Sequence, residues 1–208
     1  MILWYPLIIF LSLELFLFAF AKRRKIFIDL GTNDGTSVKQ FVLGATGSNT
    51  AVDGSKSLVG GWESLLSGVS DYNSTGWDII ALEANDQHLP SLTALKSNLL
   101  DGNHTNVNSV SLYCPTAITT KNGQVEFIWD SPNGGHAGST LMAGSRSAVG
   151  KRVLVPALDI VTLFKREKIS MKDFVVVKMD VEGAEYSIVR RILLSGIWRY
   201  IDRIAVEW

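Results

Sequence analysis

The chain has 208 residues, 47% of them hydrophobic and 19% charged, which suits one domain with a real core and excludes a disordered chain. Twenty basic and twenty acidic residues cancel, so no positive excess argues for nucleic acid as a charge-attracted partner. The single cysteine, Cys114, excludes an intramolecular disulfide and reads as a small buried apolar residue; no Cys/His cluster has zinc spacing, and no metal site is expected.

Residues 1–21, "MILWYPLIIFLSLELFLFAFA", are apolar except for Ser12 and Glu14 and run straight into "KRRK". As a helix they would span about 30 Å, the hydrocarbon thickness of a bilayer. They read as a transmembrane anchor. A cleaved signal peptide is the rival, since Ala19-Phe20-Ala21 resembles a cleavage site, but the segment lacks a basic start and its apolar run is long for one. A buried core helix fits less well with a run that is apolar all round and ends in four cations. Lys22 to Lys25 put the following domain, residues 22–208, in the cytosol by the positive-inside rule. The sequons at Asn73 and Asn103 make sense only in a lumen, so the side of the membrane stays open.

Beyond the anchor, strand-like apolar runs alternate with helix-like periodic ones, without internal repeats. The strand candidates are Lys25–Leu30, Trp77–Glu83, Val110–Tyr113, Val125–Trp129, Phe174–Asp180 and Ile201–Glu207; the helix candidates are Val38–Leu43, Pro90–Leu100, Leu158–Arg166 and Ala184–Leu194. Most of the strands are continuous apolar runs, as expected where helices cover both faces of a sheet. In the second helix Leu92, Leu95 and Leu99 share a face, with Pro90 in the first turn and Gly102 as a stop; in the last, Ala184, Ile188 and Ile192 form the stripe and Gly196 ends it. This alternation predicts an α/β fold with a doubly wound, mostly parallel sheet. Two segments break the rhythm: the Gly/Ser/Thr/Asn-rich stretch Gly44 to Gly76, in which only "GWESLLSGV" has helical promise, and Asp130 to Val149, a small-residue loop that reads as mobile filler or as an active-site lid.

Three motifs carry chemistry. In "FIDLGTNDGTSV", Gly31 and Gly35 permit a tight turn and close approach to the main chain, and Thr32, Asn33 and Asp34 favour turns. The spacing is not the three-glycine dinucleotide fingerprint, and Asp29 and Asp34 would repel a pyrophosphate. They suit a cationic ligand without phosphate, such as S-adenosylmethionine. The next strand ends in Glu83, placed to accept hydrogen bonds from a ribose diol. In "FVVVKMDVEGAEYSIVRRIL", Lys178, Asp180 and Glu182 stand at a strand's carboxyl end, where open α/β sheets bind ligands, and on a regular strand all three would share one face. Glu182 and Glu185 also suit the start of a helix through its macrodipole alone.

These blocks, together with "ALEAND", "GGHAGSTL", "VPALDIVTLF" and "IDRIAVEW", resemble the FkbM-type family of S-adenosylmethionine-dependent methyltransferases from about Lys25 to Trp208. The most specific piece is "KMDVEGAE". The resemblance implies a Rossmann-like class I methyltransferase fold, with Asp29, Gly31, Thr32, Asn33, Gly35 and Thr36 of the first turn and Glu83 holding S-adenosyl-L-methionine. It also implies methyl transfer to an oxygen of a sugar or another small hydroxylated molecule. Asp180 is the expected base or substrate-orienting carboxylate, with Lys178 or Glu182 fixing its position; His136 is the other candidate base, its ordinary pKa near 6.5 suiting proton transfer. Against the family pattern, the Gly44–Gly76 excursion is long and the chain stops where two more strands are expected, so the domain reads as C-terminally incomplete. Two other readings stand beside this one: a membrane-anchored glycosyltransferase, in which Asp180-Val181-Glu182 imitates a D-x-D metal motif, and a non-catalytic cofactor-binding domain of the same fold.

Overall fold

The computed structural model describes residues 23–44, 76–101, 107–129 and 151–207. The apolar segment 1–21, Asn73, Asn103, Gly102, His136 and the interiors of the two irregular segments lie outside the described residues. Among the described residues, no helix is long and apolar enough to cross a membrane.

Five strands form the central sheet: β1 (Lys25–Leu30), β2 (Trp77–Leu82), β3 (Val107–Tyr113) and, in the second half, Phe174–Met179 and Arg203–Val206. Between the halves come β4 (Ala117–Thr119), β5 (Gly123–Trp129) and β6 (Lys151–Asp159), which form a separate three-stranded sheet in the order β4-β6-β5. Phe174–Met179 is therefore β7 and Arg203–Val206 is β8. The order of the large sheet is β3-β2-β1-β7-β8, and every pairing in it is parallel.

Helices lie on both faces, and the strands' alternation decides which side chain meets which helix. Phe27, Ile79 and Val176 point to the side of α1 (Thr36–Gly44) and α2 (Leu89–Leu100), where Val38, Phe41, Leu95 and Leu99 complete one core cluster. Ile26, Ile28, Ile80, Val175 and Val177 point to the opposite side, against Leu163 and Phe164 of α3 (Ile160–Arg166) and Ile188 and Ile192 of α4 (Glu185–Ser195). The Phe27 and Phe41 rings stack at 3.9 Å, and Trp77 meets Phe41 edge-on at 4.9 Å, which pins α1 to the sheet through large apolar areas. Both strand faces are covered, so β1 and β2 are buried along their whole length, as expected of their largely apolar sequences, with Lys25, Asp29 and Asp78 the buried charged residues among them.

The expected leucine face of α2 is the buried one, and Gly196 caps α4 in the left-handed conformation. Several elements differ from the sequence reading: β4 has no counterpart in it, β5 pairs in the small sheet, β3 begins at Val107 and β8 spans only Arg203–Val206. Leu158 and Asp159 close β6 instead of opening a helix, and α3 begins at Ile160, with the Asp159 carboxylate accepting from Val161 N–H. Pro156 disguises this strand because it breaks the apolar run; β4 reaches only Ala157–Asp159, so Pro156 lies where β6 has a partner on one side alone. β7 ends at Met179, one residue earlier than expected, and Glu182 lies beyond it with φ +52°. Glu182 thus departs from the shared strand face with Lys178 and Asp180.

The "KRRK" cations that follow the apolar segment are largely engaged by the fold. Lys25 is buried as the first residue of β1 with its ammonium 5.3 Å over the Trp77 ring, Arg24 pairs with Asp78, and Arg23 reaches Asp202 at 3.3 Å.

Candidate functional site

The sheet changes winding direction between β1 and β7, with α1 and α2 on one face and α3 and α4 on the other. At such a switch point the loops leaving two neighbouring strands diverge and open a crevice outside their carboxyl ends. The β1–α1 turn and the β7–α4 turn meet there. A Cβ on Gly31 would stand 1.8 Å from the Asp180 carbonyl oxygen, so only glycine permits this main-chain contact. Gly31 and Gly35 both have positive φ, +80° and +87°. At Gly35 the close neighbours are Leu95 and Leu92, at 2.4 and 3.1 Å from the position of a Cβ. The approach that these glycines allow in the structure is thus to protein.

Register explains the next contact. Asp29 and Lys178 are direct partners across the β1–β7 ladder, and cross-strand partners project to the same face. Lys178 Nζ stands 3.4 Å from Asp29 Oδ1, 3.5 Å from Asp180 Oδ2 and 3.3 Å from the Gly31 carbonyl, to which it donates. Asp29 is fully buried; its Oδ2 accepts from Thr32 Oγ1 at 2.7 Å and from the Ser37 hydroxyl. Burial pushes Asp29 above the ordinary carboxylate range against the pull of Lys178, Ser37 and Thr32. Burial also opposes the charge on Lys178, but Asp29 and then Asp180 outweigh it and raise its pKa, so it stays cationic through the neutral range. Asp29 and Thr32 therefore brace the turn from inside. Asp180, whose side chain is 30% exposed, is the member of this network with access to the crevice.

Glu83 follows β2 and is buried, and each of its carboxylate oxygens is held by a main-chain amide: Oε2 by Asn33 N–H at 2.7 Å, Oε1 by Asn85 N–H at 2.8 Å. Asn33 has φ +53°, a conformation that asparagine tolerates better than most residues, and it turns its amide toward Glu83. A carboxylate has about four acceptor positions, and the amides of Asn33, Asn85 and Ala84 leave capacity for a further donor. Burial raises the Glu83 pKa against the amide bonds from Asn85 and Asn33. Asn85, which the sequence reading passes over, sits beside it, buried, with its Oδ1 accepting from Gln87 N–H and its Nδ2 without a hydrogen-bond partner. A buried amide donor left unmatched is costly. The signal for it was present in "LEAND", an asparagine two positions after the strand-end acid.

Around the crevice the remaining groups are acidic or local. Asp34 Oδ1 caps Thr36 N–H at 2.9 Å; burial works against the Asp34 charge, but these Thr36 bonds prevail and hold its pKa low. Glu182 is exposed; its partial burial, then Asp180, Glu185 and Glu207, push its pKa up. Glu185 is buried and holds the β7–α4 turn, accepting from Val181 N–H and Gly183 N–H at 2.9 Å each, which is a helix-start role. Cys114 is half-buried and its thiol is pushed up to about 12 by burial and then by Glu83 and Asp86, so it carries no thiolate at neutral pH. Among the described residues no group of three or more His, Cys, Asp or Glu side chains is arranged to hold a metal ion. The structure thus brings Asp29, Gly31, Thr32, Lys178 and Asp180 into one network, sets Asn33 on Glu83, and places Glu182 beyond the end of β7, exposed but within electrostatic reach of Asp180 and Lys178.

S-adenosylmethionine presents a ribose diol, an ammonium and a sulfonium, and so asks for acceptors and negative potential. The donor set fits: Glu83 has acceptor capacity to spare, Asp180 is part-exposed at the carboxyl end of β7, and Asn85 Nδ2 is an unmatched donor beside Glu83. No curated protein and no solved structure gives a match to the chain. The family model described as "Methyltransferase FkbM domain" matches residues 29–204, from the acid of the β1 turn to within β8, and the chain therefore belongs to the FkbM methyltransferase family.

Proposed function

We propose that the chain is an S-adenosylmethionine-dependent O-methyltransferase acting on a hydroxyl of a sugar or another small molecule, held at a membrane by its apolar first 21 residues. The observation that carries this reading is Glu83, held by amides of the β1 and β2 turns beside the switch point with acceptor capacity left over. Ribose hydroxyls would donate to that carboxylate, Asn33 and Asp34 would line the methionine end, and Asn85 Nδ2 would gain an acceptor. Gly31, Asp29, Thr32, Gly35 and Thr36 keep the turn in shape for this.

When bound, the cofactor supplies an electrophilic methyl group. The chain's own part is to hold an acceptor hydroxyl beside it, where orientation alone removes much of the barrier, and to receive the hydroxyl proton. Asp180 would take that role, with Lys178 Nζ 3.5 Å from its Oδ2 helping to fix the side chain. His136 remains the other candidate base, outside the described residues.

Asp180→Asn separates the roles. The expected result is methyl transfer slowed by about two orders of magnitude or more, as is typical for loss of a general base, with S-adenosylhomocysteine affinity unchanged. Methyl transfer at the native rate would remove Asp180 from the chemistry. Tight binding of S-adenosylhomocysteine with no turnover on any hydroxylated acceptor would favour the non-catalytic reading.

A further inference from the structure

Parallel strands place all their amino ends on one edge of the sheet, opposite the crevice, and that edge has its own chemistry. Arg23 enters β1 there, donating to the main-chain carbonyls of Lys172 and Asp173 just before β7 and to Asp202 just before β8; Asp202 N–H in turn donates to Val175 at the start of β7. The end of α4 and the short 3-10 helix Ile197–Tyr200 return the chain to this same edge. Large apolar side chains stand in solvent here: Met171 is 67% exposed, Leu193 59%, Leu194 75% and Trp198 50%. Exposed cations accompany them, Arg23, Lys168, Arg199 and Arg203, with the Arg199 guanidinium 5.5 Å over the Trp198 ring. The carboxyl edge is mainly acidic, with Asp34, Asp86, Glu182 and Glu207 exposed and Lys39 beside Asp34, while Asp101 is the exposed acid that ends α2 at the amino edge. A chain whose total charge is zero is thus polar from edge to edge.

We propose that the amino edge lies flat on the bilayer surface, with Trp198, Leu193, Leu194 and Met171 in the headgroup boundary, the arginines on anionic lipid phosphates, and the methyl-transfer crevice facing away into water. This rests on the reading of residues 1–21 as an anchor and is independent of the reaction assigned to the crevice. Reach singles out a membrane as the occupant: a span ending at Ala21 leaves only Lys22 before Arg23, and one residue extends at most about 3.5 Å. An edge tied that closely cannot stand clear of the interface. Its side chains are those that interfaces favour, an amphipathic tryptophan, aliphatic groups and arginine. The acceptor substrate then arrives from the aqueous phase.

The test uses the full chain reconstituted in vesicles of phosphatidylcholine and phosphatidylserine, with Cys114→Ala and a nitroxide at either Leu194→Cys on the amino edge or Tyr186→Cys, 78% exposed in the first turn of α4 at the other end. The expected result is that the label at position 194 collides preferentially with lipid-soluble oxygen and the label at 186 with a water-soluble nickel chelate. Equal access of the chelate to both labels, in chains that float with the vesicles, would overturn the docked edge while leaving the anchor. Failure of the native chain to float would overturn both the anchor and the docking, and neither outcome touches the methyltransferase reading.

Discussion

The two ends of the same five strands are built on different principles. At the carboxyl ends the main chain of one turn presses on the main chain of another at Gly31 and Asp180, left-handed residues present their amides, and the acids Asp29, Glu83 and Glu185 are buried and each held by donors. At the amino ends buried acids recur, Asp78 held by Arg24, Asn108 and Ser109 and Asp173 by Ser170, but beside them stand Arg23, 51% exposed, and apolar groups in solvent. The first edge tolerates little displacement because main chain meets main chain there; the outer part of the second, around Arg23, can lose a contact and relax. Rigid placement of a few polar groups belongs where a ligand must be oriented, and adaptable side chains belong where a surface must meet something fluid.

Breaking the carboxyl edge at its closest point should have the largest effect. Gly31→Ala places a Cβ 1.8 Å from a carbonyl oxygen at a positive φ, and a loss of about 4 kcal/mol or more in chemical denaturation is expected. Gly196→Ala, also at φ +80° but with nothing within 4 Å of the added Cβ, should cost only about 1 kcal/mol from backbone strain. Equal costs would mean that the contact between the turns is not tight.

Lys178→Met leaves Asp29 buried without its cation, and removing one partner of such a pair costs about 3 kcal/mol. The double replacement Lys178→Met with Asp29→Asn should recover part of that loss, as read by urea midpoints. Glu185→Ala frees the amides of Val181 and Gly183 and is expected to cost about 2 kcal/mol, with weaker ligand binding at the loosened turn. The smallest effect belongs to the other edge: Arg23→Ala removes an exposed ion pair and should change stability by about 1 kcal/mol or less, leaving affinity for S-adenosylhomocysteine as it was. A loss of affinity in Arg23→Ala would erase the contrast between the edges.

The sequence made the central strands of the large sheet legible because helices cover both faces, so β1, β2 and β7 read as mainly apolar runs. It also exposed the leucine face of α2 and the Gly196 stop. It could not show β4, three residues being too few for a pattern, or β6, which Pro156 interrupts. Within the site, the acids and glycines stand out, but their partners depend on register. Asp29 and Lys178 lie far apart in the chain and meet only because β1 and β7 pair residue for residue from Lys25 and Phe174. The same long-range pairing turns Gly31, which reads as room for a ligand, into room for Asp180. Glu185 shows the converse: a helix-start acid, expected on dipole grounds alone, holds its turn through two amides.

Glu83 carries the central claim, and calorimetry with S-adenosylhomocysteine tests it most directly. Its raised pKa fixes the sign of the pH dependence. Hydroxyl donors require the carboxylate, so affinity should be full above that pKa and fall as the pH drops through it, at a pH above the ordinary glutamate range. The native chain should give a saturable one-site heat with this profile, and Glu83→Gln, folded by circular dichroism, should bind at least ~10-fold more weakly, about 1.4 kcal/mol, and without the acid dependence. No binding heat from the folded native chain, or equal affinity and equal pH profile in Glu83→Gln, would contradict the account.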